Sequence, residues 1–188
     1  MQFETERLIL RPWTENDAED LFTYAKDPRV GSNAGWKPHP DPQHSLEIIK
    51  TVLSGPETYA VCLKSDCRAI GSVGLFPYHG SENVSGKPDE AQELEIGYWL
   101  GVPFWGQGLI PEAVRCLQKY AFAVLGCSIM WCSNYSGNHN SERVQEKCGF
   151  TYHHTEEDSP GEQIHEVRTV RYSRITRDEW KRLTGCAD

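Results

Sequence analysis

The chain is predicted to fold as one mixed α/β domain, a single sheet flanked by helices. Three observations carry that reading. Its 188 residues suffice for one domain with a real core. Stretches with an apolar period of two alternate with stretches of three- and four-residue period, in the order β-α-α-β-β-β-α-β-α-β-β. No internal repeat and no linker-like segment divides them.

Residues 3–11 read as the first strand. Thr14 caps a helix with Asp17 three positions on, a capping box with Asp in place of Glu, and Ala18, Leu21, Phe22 and Ala25 form its buried stripe. Asp27-Pro28 ends that helix. Residues 31–42 are rich in glycine and proline and read as irregular. Trp36 and His39 within them are candidates to line a substrate pocket, although Trp36 could equally fold back over the core. Asp41 caps the second helix, with Pro42 at its first position and Leu46, Ile49 and Leu53 facing inward. Residues 58–64 and 68–76 read as a hairpin joined at Ser65-Asp66-Cys67. Residues 77–91 are polar, and are expected to form a mobile loop that helps to shape an acceptor site.

Residues 93–100 are the stretch on which the rest depends. Leu94, Ile96, Tyr98 and Leu100 alternate with Glu93, Glu95, Gly97 and Trp99, which describes a strand with an apolar face and a face bearing two carboxylates. Glycines follow at 101, 106 and 108. Pro111 then opens a helical pattern of Ala113, Val114, Leu117, Ala121, Val124 and Leu125 that stops at Gly126. A strand feeding a glycine-rich turn and a helix N-terminus is an anion site, because unpaired N–H groups and the dipole favour negative charge there. The spacing fits neither a dinucleotide fingerprint, since Pro111 stands where a third glycine is needed, nor a P-loop. A nucleotide-binding role for the Gly106–Gly108 turn remains open at this point. Cys127–Cys132 reads as a buried strand, 133–140 as a loop, 141–148 as a short helix, 164–175 as a long strand, and 177–183 as a last helical turn.

A net charge of −8 argues against a nucleic-acid partner and suits a cationic substrate such as an amine, though solubility alone explains an acidic surface. The seven cysteines form no C-x-x-C pair, no signal peptide is legible, and no apolar run reaches membrane-spanning length. The expected setting is a reducing cytoplasm, with free thiols, no membrane and no metal. His153, His154 and His165 read as surface or edge positions rather than metal ligands. Cys132 and Cys148 read as buried structural thiols rather than acyl-accepting nucleophiles, because no neighbouring His or Lys would lower their pKa.

Three blocks carry a family likeness over nearly the whole chain. They are Glu95-Ile-Gly-Tyr-Trp-Leu100 with Trp105-Gly-Gln-Gly-Leu-Ile-Pro-Glu-Ala113, then Asn138-His-Asn-Ser141 with Arg143-Val-Gln-Glu-Lys-Cys-Gly-Phe150, and finally Tyr172-Ser-Arg-Ile-Thr-Arg-Asp-Glu-Trp180. In these the sequence resembles the GNAT N-acetyltransferases, specifically the RimJ/RimL-type branch. The resemblance implies a mostly antiparallel sheet of about seven strands, splayed between the fourth and fifth. It also implies acetyl-CoA as acetyl donor and direct attack by a primary amine in a ternary complex, the amine being a protein N-terminus or a small molecule. The backbone of Leu100, Gly101 and Val102 would bond the pantetheine. The amides of Gly106, Gln107, Gly108, Leu109 and Ile110 would hold the pyrophosphate, with Asn138 near the cofactor. A protonated amine must lose its proton before it attacks, and Glu95 matches the family's carboxylate for that work, with Glu93 in reserve. A backbone N–H near Val102 would serve the oxyanion. Many relatives protonate the departing thiolate with a tyrosine; here that position is Gln145, and the RimJ/RimL pattern offers Ser141 instead, which could also cap its helix. Ile110 and Pro111 depart from the family's small residue and threonine, so one amide is lost. The alternative is an acyl-CoA-binding or regulatory module with impaired catalysis, and a homodimer is left open.

Overall fold

The computed structural model describes residues 1–78, 93–158 and 168–186. Its strands are β1 (Phe3–Glu4), β2 (Leu8–Pro12), β3 (Thr58–Leu63), β4 (Ala69–Pro77), β5 (Glu93–Leu100), β6 (Ile129–Tyr135), β7 (Thr151–Asp158) and β8 (Arg168–Thr176). The helices are α1 (Ala18–Ala25), α2 (Pro28–Ala34), α3 (Pro42–Thr51), α4 (Leu109–Ala123), α5 (His139–Lys147) and α6 (Arg177–Thr184). The described strands form one mixed sheet in the order β1-β2-β3-β4-β5-β6-β8-β7, every pair antiparallel except β5–β6.

That parallel pair is where the sheet opens. Glu93, Leu94 and Glu95 pair with Ile129, Met130 and Trp131, and the ladder stops there. Gly101 N–H still donates to Ile70 O (2.8 Å) on the β4 side. Backbone groups alternate in direction along a strand, so those of Ile96, Tyr98 and Leu100 point into the gap. The splay between β5 and β6 is the one the resemblance implies.

The alternation of 93–100 divides the core as its pattern predicts. Leu94, Ile96 and Leu100 join Leu8, Leu10, Val61, Val73 and Leu75 under Leu109, Val114 and Leu117 of α4. The opposite face packs Ala60, Cys62 and Ala69 against Trp13, Leu21, Ala25 and Ile49 from α1, α3 and the segment before them. The Thr14–Asp17 box is present: the Asp17 carboxylate accepts from the backbone N–H and the hydroxyl of Thr14, both at 2.8 Å, and pairs with Arg11 (2.7 Å).

Four expectations are corrected. The strand at 3–11 is two strands, because the chain reverses at Thr5, whose N–H donates to Leu8 O (2.9 Å). The 31–42 segment is helical at its start: the Asp27 side chain accepts from Arg29 N and Pro28 sits in the first turn, so Asp27-Pro28 ends α1 and begins α2 together. The strand expected at 127–132 runs on through Tyr135, held by β8. The helix expected at 141–148 starts at His139, and Asn138 caps it by accepting from Ser141 N (3.2 Å), so Ser141 is not the cap. Residues 79–91 of the loop expected at 77–91, and residues 164–167 of the last strand, His165 included, lie outside the described residues.

Candidate active site

Two clefts meet at the split in the sheet. One, of about 310 Å³, lies between β5 and the starts of α4 and α5. The other, of about 440 Å³, is bounded by α2, the end of α3 and the outer face of β4–β5–β6–β8. Asn33 and Ala34 of α2 and Gly97, Tyr98, Trp99, Ser133 and Asn134 line both.

The first cleft ends at the predicted anion site. Gly106 and Gly108 both have φ near +76°, a conformation that only glycine adopts without strain, and Gly108 is the N-cap of α4. The amides of Leu109 and Ile110 have no acceptor within the helix, and Pro111 contributes none. Glu112 sits in the first turn, where a carboxylate could compete with an anionic ligand. It is engaged on the far side instead, accepting from Thr5 Oγ1 (2.5 Å), Arg7 N (2.8 Å) and Arg7 Nε (2.7 Å). Arg7 Nη1 also donates to Gln107 O (3.0 Å), so one arginine fixes both the turn and the helix start.

Among the residues expected to hold a cofactor, Leu100, Gly106, Gly108, Leu109, Ile110 and Asn138 line this cleft. Gly101, Val102 and Gln107 do not. Gly101 spends its N–H on Ile70 O and its carbonyl on Phe104 N, and Val102 starts a 3-10 turn. The free edge lies one step back, at the backbone of Ile96 and Tyr98. The Leu100 carbonyl is capped by Trp105 Nε1 (2.7 Å). Sequence reasoning also passed over Arg143 and Lys147, exposed cations on the rim of the cleft one turn apart on α5. Their i, i+4 spacing was the available signal.

Glu95 and Ser141 both line the first cleft. Glu95 accepts from Ser133 Oγ (2.5 Å), which bridges the two strands just where their ladder ends, and Ser133 lines both clefts. Glu93 is engaged away from the gap by Trp131 Nε1 (2.6 Å). Ser141 Oγ lies 2.9 Å from the Tyr98 hydroxyl and 3.4 Å from Gln145 Nε2, which also donates to Asn134 Oδ1 (2.9 Å). Cys132 Sγ donates to the same tyrosine oxygen (3.7 Å). Burial pushes the Tyr98 phenol well above its ordinary range, with Cys132 adding to the rise and the Ser141 hydrogen bond opposing it. Tyr98 is therefore protonated at neutral pH, and either hydroxyl can donate in its bond with Ser141. With Tyr98 and Gln145 as donors, Ser141 would have its own O–H available for a third group. Cys132 is fully enclosed and pushed up to about 12 by burial, and Cys148 to about 11, as befits structural thiols.

The two expected substrate residues separate. Trp36 lines the second cleft, edge-on to Trp99 at 5.8 Å. His39 lines neither cleft. It is buried, its Nδ1 bonded to Ser45 Oγ (2.8 Å), and burial, with His44 adding, holds its pKa down to about 4. The proline-rich segment folds it under α3 rather than into a pocket.

This geometry has known counterparts. Residues 7–151 match the family model for the acetyltransferase (GNAT) domain. The chain is 36% identical over 117 residues to the FsC-acetyl coenzyme A-N(2)-transacetylase of Aspergillus fumigatus, a match covering 61% of this chain and 48% of that protein. It is 32% identical over 126 residues to the uncharacterized N-acetyltransferase p20 of Bacillus licheniformis, covering 64% and 66%. The chain thus spans about half to two thirds of the length of these relatives. An acetyltransferase (GNAT family) structure from Bacillus anthracis superposes with a TM-score of 0.78, covering 95% of this chain and 99% of that one at 19% identity. With most of its length matched by the family model and its sheet split where a GNAT sheet splits, the chain belongs to the GNAT acetyltransferase domain family.

Proposed function

We propose that this chain, acting as one domain, moves the acetyl group of acetyl-CoA to a primary amine, with both substrates bound at once. The observation that carries this is the meeting of the two clefts at the split, with Glu95 and Ser141 lining the first and Ser133, the partner of Glu95, lining both. The cofactor's chemistry is that of an activated thioester. The first cleft suits it: an open strand edge at Ile96, Tyr98 and Leu100 for an amide-rich arm, the Gly106–Ile110 turn for a pyrophosphate, and Arg143 and Lys147 for further phosphate charge.

Each remaining role belongs to a residue of the chain. An ammonium group must be deprotonated before attack. Ser133 accepts its proton from the second cleft and passes its own to Glu95, the bond at 2.5 Å being already in place. The departing sulfur takes the Ser141 proton, which solvent in the open cleft replaces, while Tyr98 and Gln145 hold the serine oxygen by hydrogen bonds. The tyrosine missing at Gln145 is thus replaced by a serine backed by Tyr98, which supports assignment to the RimJ/RimL-type branch and weakens the binding-module alternative. The acceptor class within that branch spans protein N-termini and small amines. All seven thiols are free, which fits a cytoplasmic setting. Among the described residues no helix is long and apolar enough to cross a membrane.

Glu95→Gln tests the reading. It should lower kcat by roughly 10²–10⁴. Acetyl-CoA at a hundred times its Kd should still stabilise the variant by about 2.7 kcal/mol, as it does the parent. Stabilisation without turnover of any amine by the parent would favour the binding module. No stabilisation of the parent by millimolar acetyl-CoA would end both readings.

A further inference from the structure

Arg7 is a residue that the transfer reading leaves without a task. It lies between β1 and β2, where the chain reverses at Thr5, and it is not among the described residues that line either cleft. Its side chain is 46% exposed, yet its side-chain bonds all run to the start of α4, 100 to 105 positions further along the chain. Nε and Nη2 each reach Glu112 Oε2 at 2.7 Å, and Nη1 donates to Gln107 O at 3.0 Å. The support is firm. Thr5 Oγ1, which donates to Glu112 Oε1, also accepts from Leu8 N (3.0 Å), so the turn that carries Arg7 is closed on itself.

Two consequences reach the cleft from behind. The first is geometric. Across a trans peptide the carbonyl and the following N–H point in opposite directions. Holding Gln107 O therefore turns the Gly108 N–H away from the arginine. That N–H meets no acceptor among the described residues, and Gly108 lines the first cleft. A bond on one side of the peptide thus sets the direction of a donor on the other. The second consequence is electrostatic. Glu112 stands in the first turn of α4, beside the place proposed for the pyrophosphate. Burial pushes its pKa up, but the hydrogen bonds from Thr5 and Arg7 outweigh that and hold it below its ordinary value, so it is ionised at neutral pH. Uncompensated, that charge would cancel the helix dipole and repel a phosphate. Arg7 supplies the compensating charge, and its backbone N–H with Thr5 Oγ1 ties down the second carboxylate oxygen.

We infer that Arg7 is a positioning residue for the phosphate end of the cofactor: it aims the Gly108 amide and neutralises Glu112 without touching the ligand. The inference rests on the transfer reading for the identity of that ligand.

The test is calorimetric titration of the full chain with CoA, for the parent, Arg7→Ala, Glu112→Gln and the double variant. Arg7→Ala should weaken binding roughly tenfold, the scale of one charge left beside a helix N-terminus. Glu112→Gln should bind at least as tightly as the parent. The double variant should recover to within about threefold of the parent, because the repelling charge has gone with its partner. A role in folding alone predicts the reverse order, since the double variant has lost more bonds than either single one. If Arg7→Ala does not fold, Arg7→Gln takes its place under the same criteria. Arg7→Ala within about twofold of a parent that binds CoA, or a double variant no tighter than Arg7→Ala, would overturn the inference and leave the transfer reading standing. No binding of CoA by the parent would end both.

Discussion

Replacing Tyr98 by Phe isolates the proposed thiolate-protonating group by removing one oxygen. That oxygen lies 2.9 Å from Ser141 Oγ and accepts from Cys132 Sγ at 3.7 Å. Without it, Ser141 keeps only the longer contact from Gln145, 3.4 Å, and Cys132 loses an acceptor. One neutral buried hydrogen bond is worth about 1 kcal/mol net, and a thiol left unpaired adds little because S–H is a weak donor. The fold should therefore lose about 1 kcal/mol, visible as a small fall in Tm. Catalysis should lose more than stability suggests. If Ser141 must be held to protonate the leaving sulfur, a hydroxyl free to rotate costs roughly tenfold in kcat, about 1.4 kcal/mol of barrier, with KM for acetyl-CoA within twofold. A double-mutant cycle supplies the control. Ser141→Ala alone should cost at least as much, and adding Tyr98→Phe to it should cost no more in kcat, because the tyrosine acts only through the serine. Additive losses, or a Tyr98→Phe enzyme within twofold of the parent while Ser141→Ala is crippled, would refute the coupling. Full activity in both single variants would remove Ser141 from the mechanism.

The other predictions concern the turn and the proline-rich segment. Gly108→Ala forces a left-handed φ on a Cβ-bearing residue, which should cost about 1–2 kcal/mol in denaturant unfolding and raise KM for acetyl-CoA; an unchanged KM would dissociate the turn from the cofactor. His39 has a folded pKa of about 4 against 6.5 unfolded, so the fold favours its neutral form. Its contribution is intact above pH 6.5 and is lost as pH falls through 6.5 toward 4, by about 2 kcal/mol between pH 7 and pH 5. His39→Gln should flatten that part of the stability-pH curve, and an identical slope in the variant would show that other groups carry it.

The period of two in 93–100 and the helical period after Pro111 made the centre of the molecule legible, since both patterns follow from burial of one face. The glycine turn proposed to bind an anion was legible for the same reason, because it sits where those two elements join. What stayed hidden depended on neighbours distant in sequence. Pro28 looks like a helix stop, and only the Asp27 cap reveals that it also starts one. Ser141 looks like a helix cap until Asn138 takes that place. Tyr98 reads as one more apolar position in an alternating strand, and nothing local announces that its hydroxyl meets a residue 43 positions away. His39 misled because a histidine in a loop suggests exposure, whereas the loop turns back beneath α3.

The split also bears on the mechanics of the sheet. Strands β1 to β5 form one half, β6 to β8 the other, and three residue pairs with the Glu95–Ser133, Glu93–Trp131 and Tyr98–Cys132 bonds join them along their shared edge. Beyond Glu95 the backbone ladder between the halves stops. A molecule seated there would tie the halves together as a missing rung ties two rails. The substrate is then also a structural member, and amide exchange at Ile96, Tyr98 and Leu100 should slow on binding while the ladders at the far edges of the sheet hardly change.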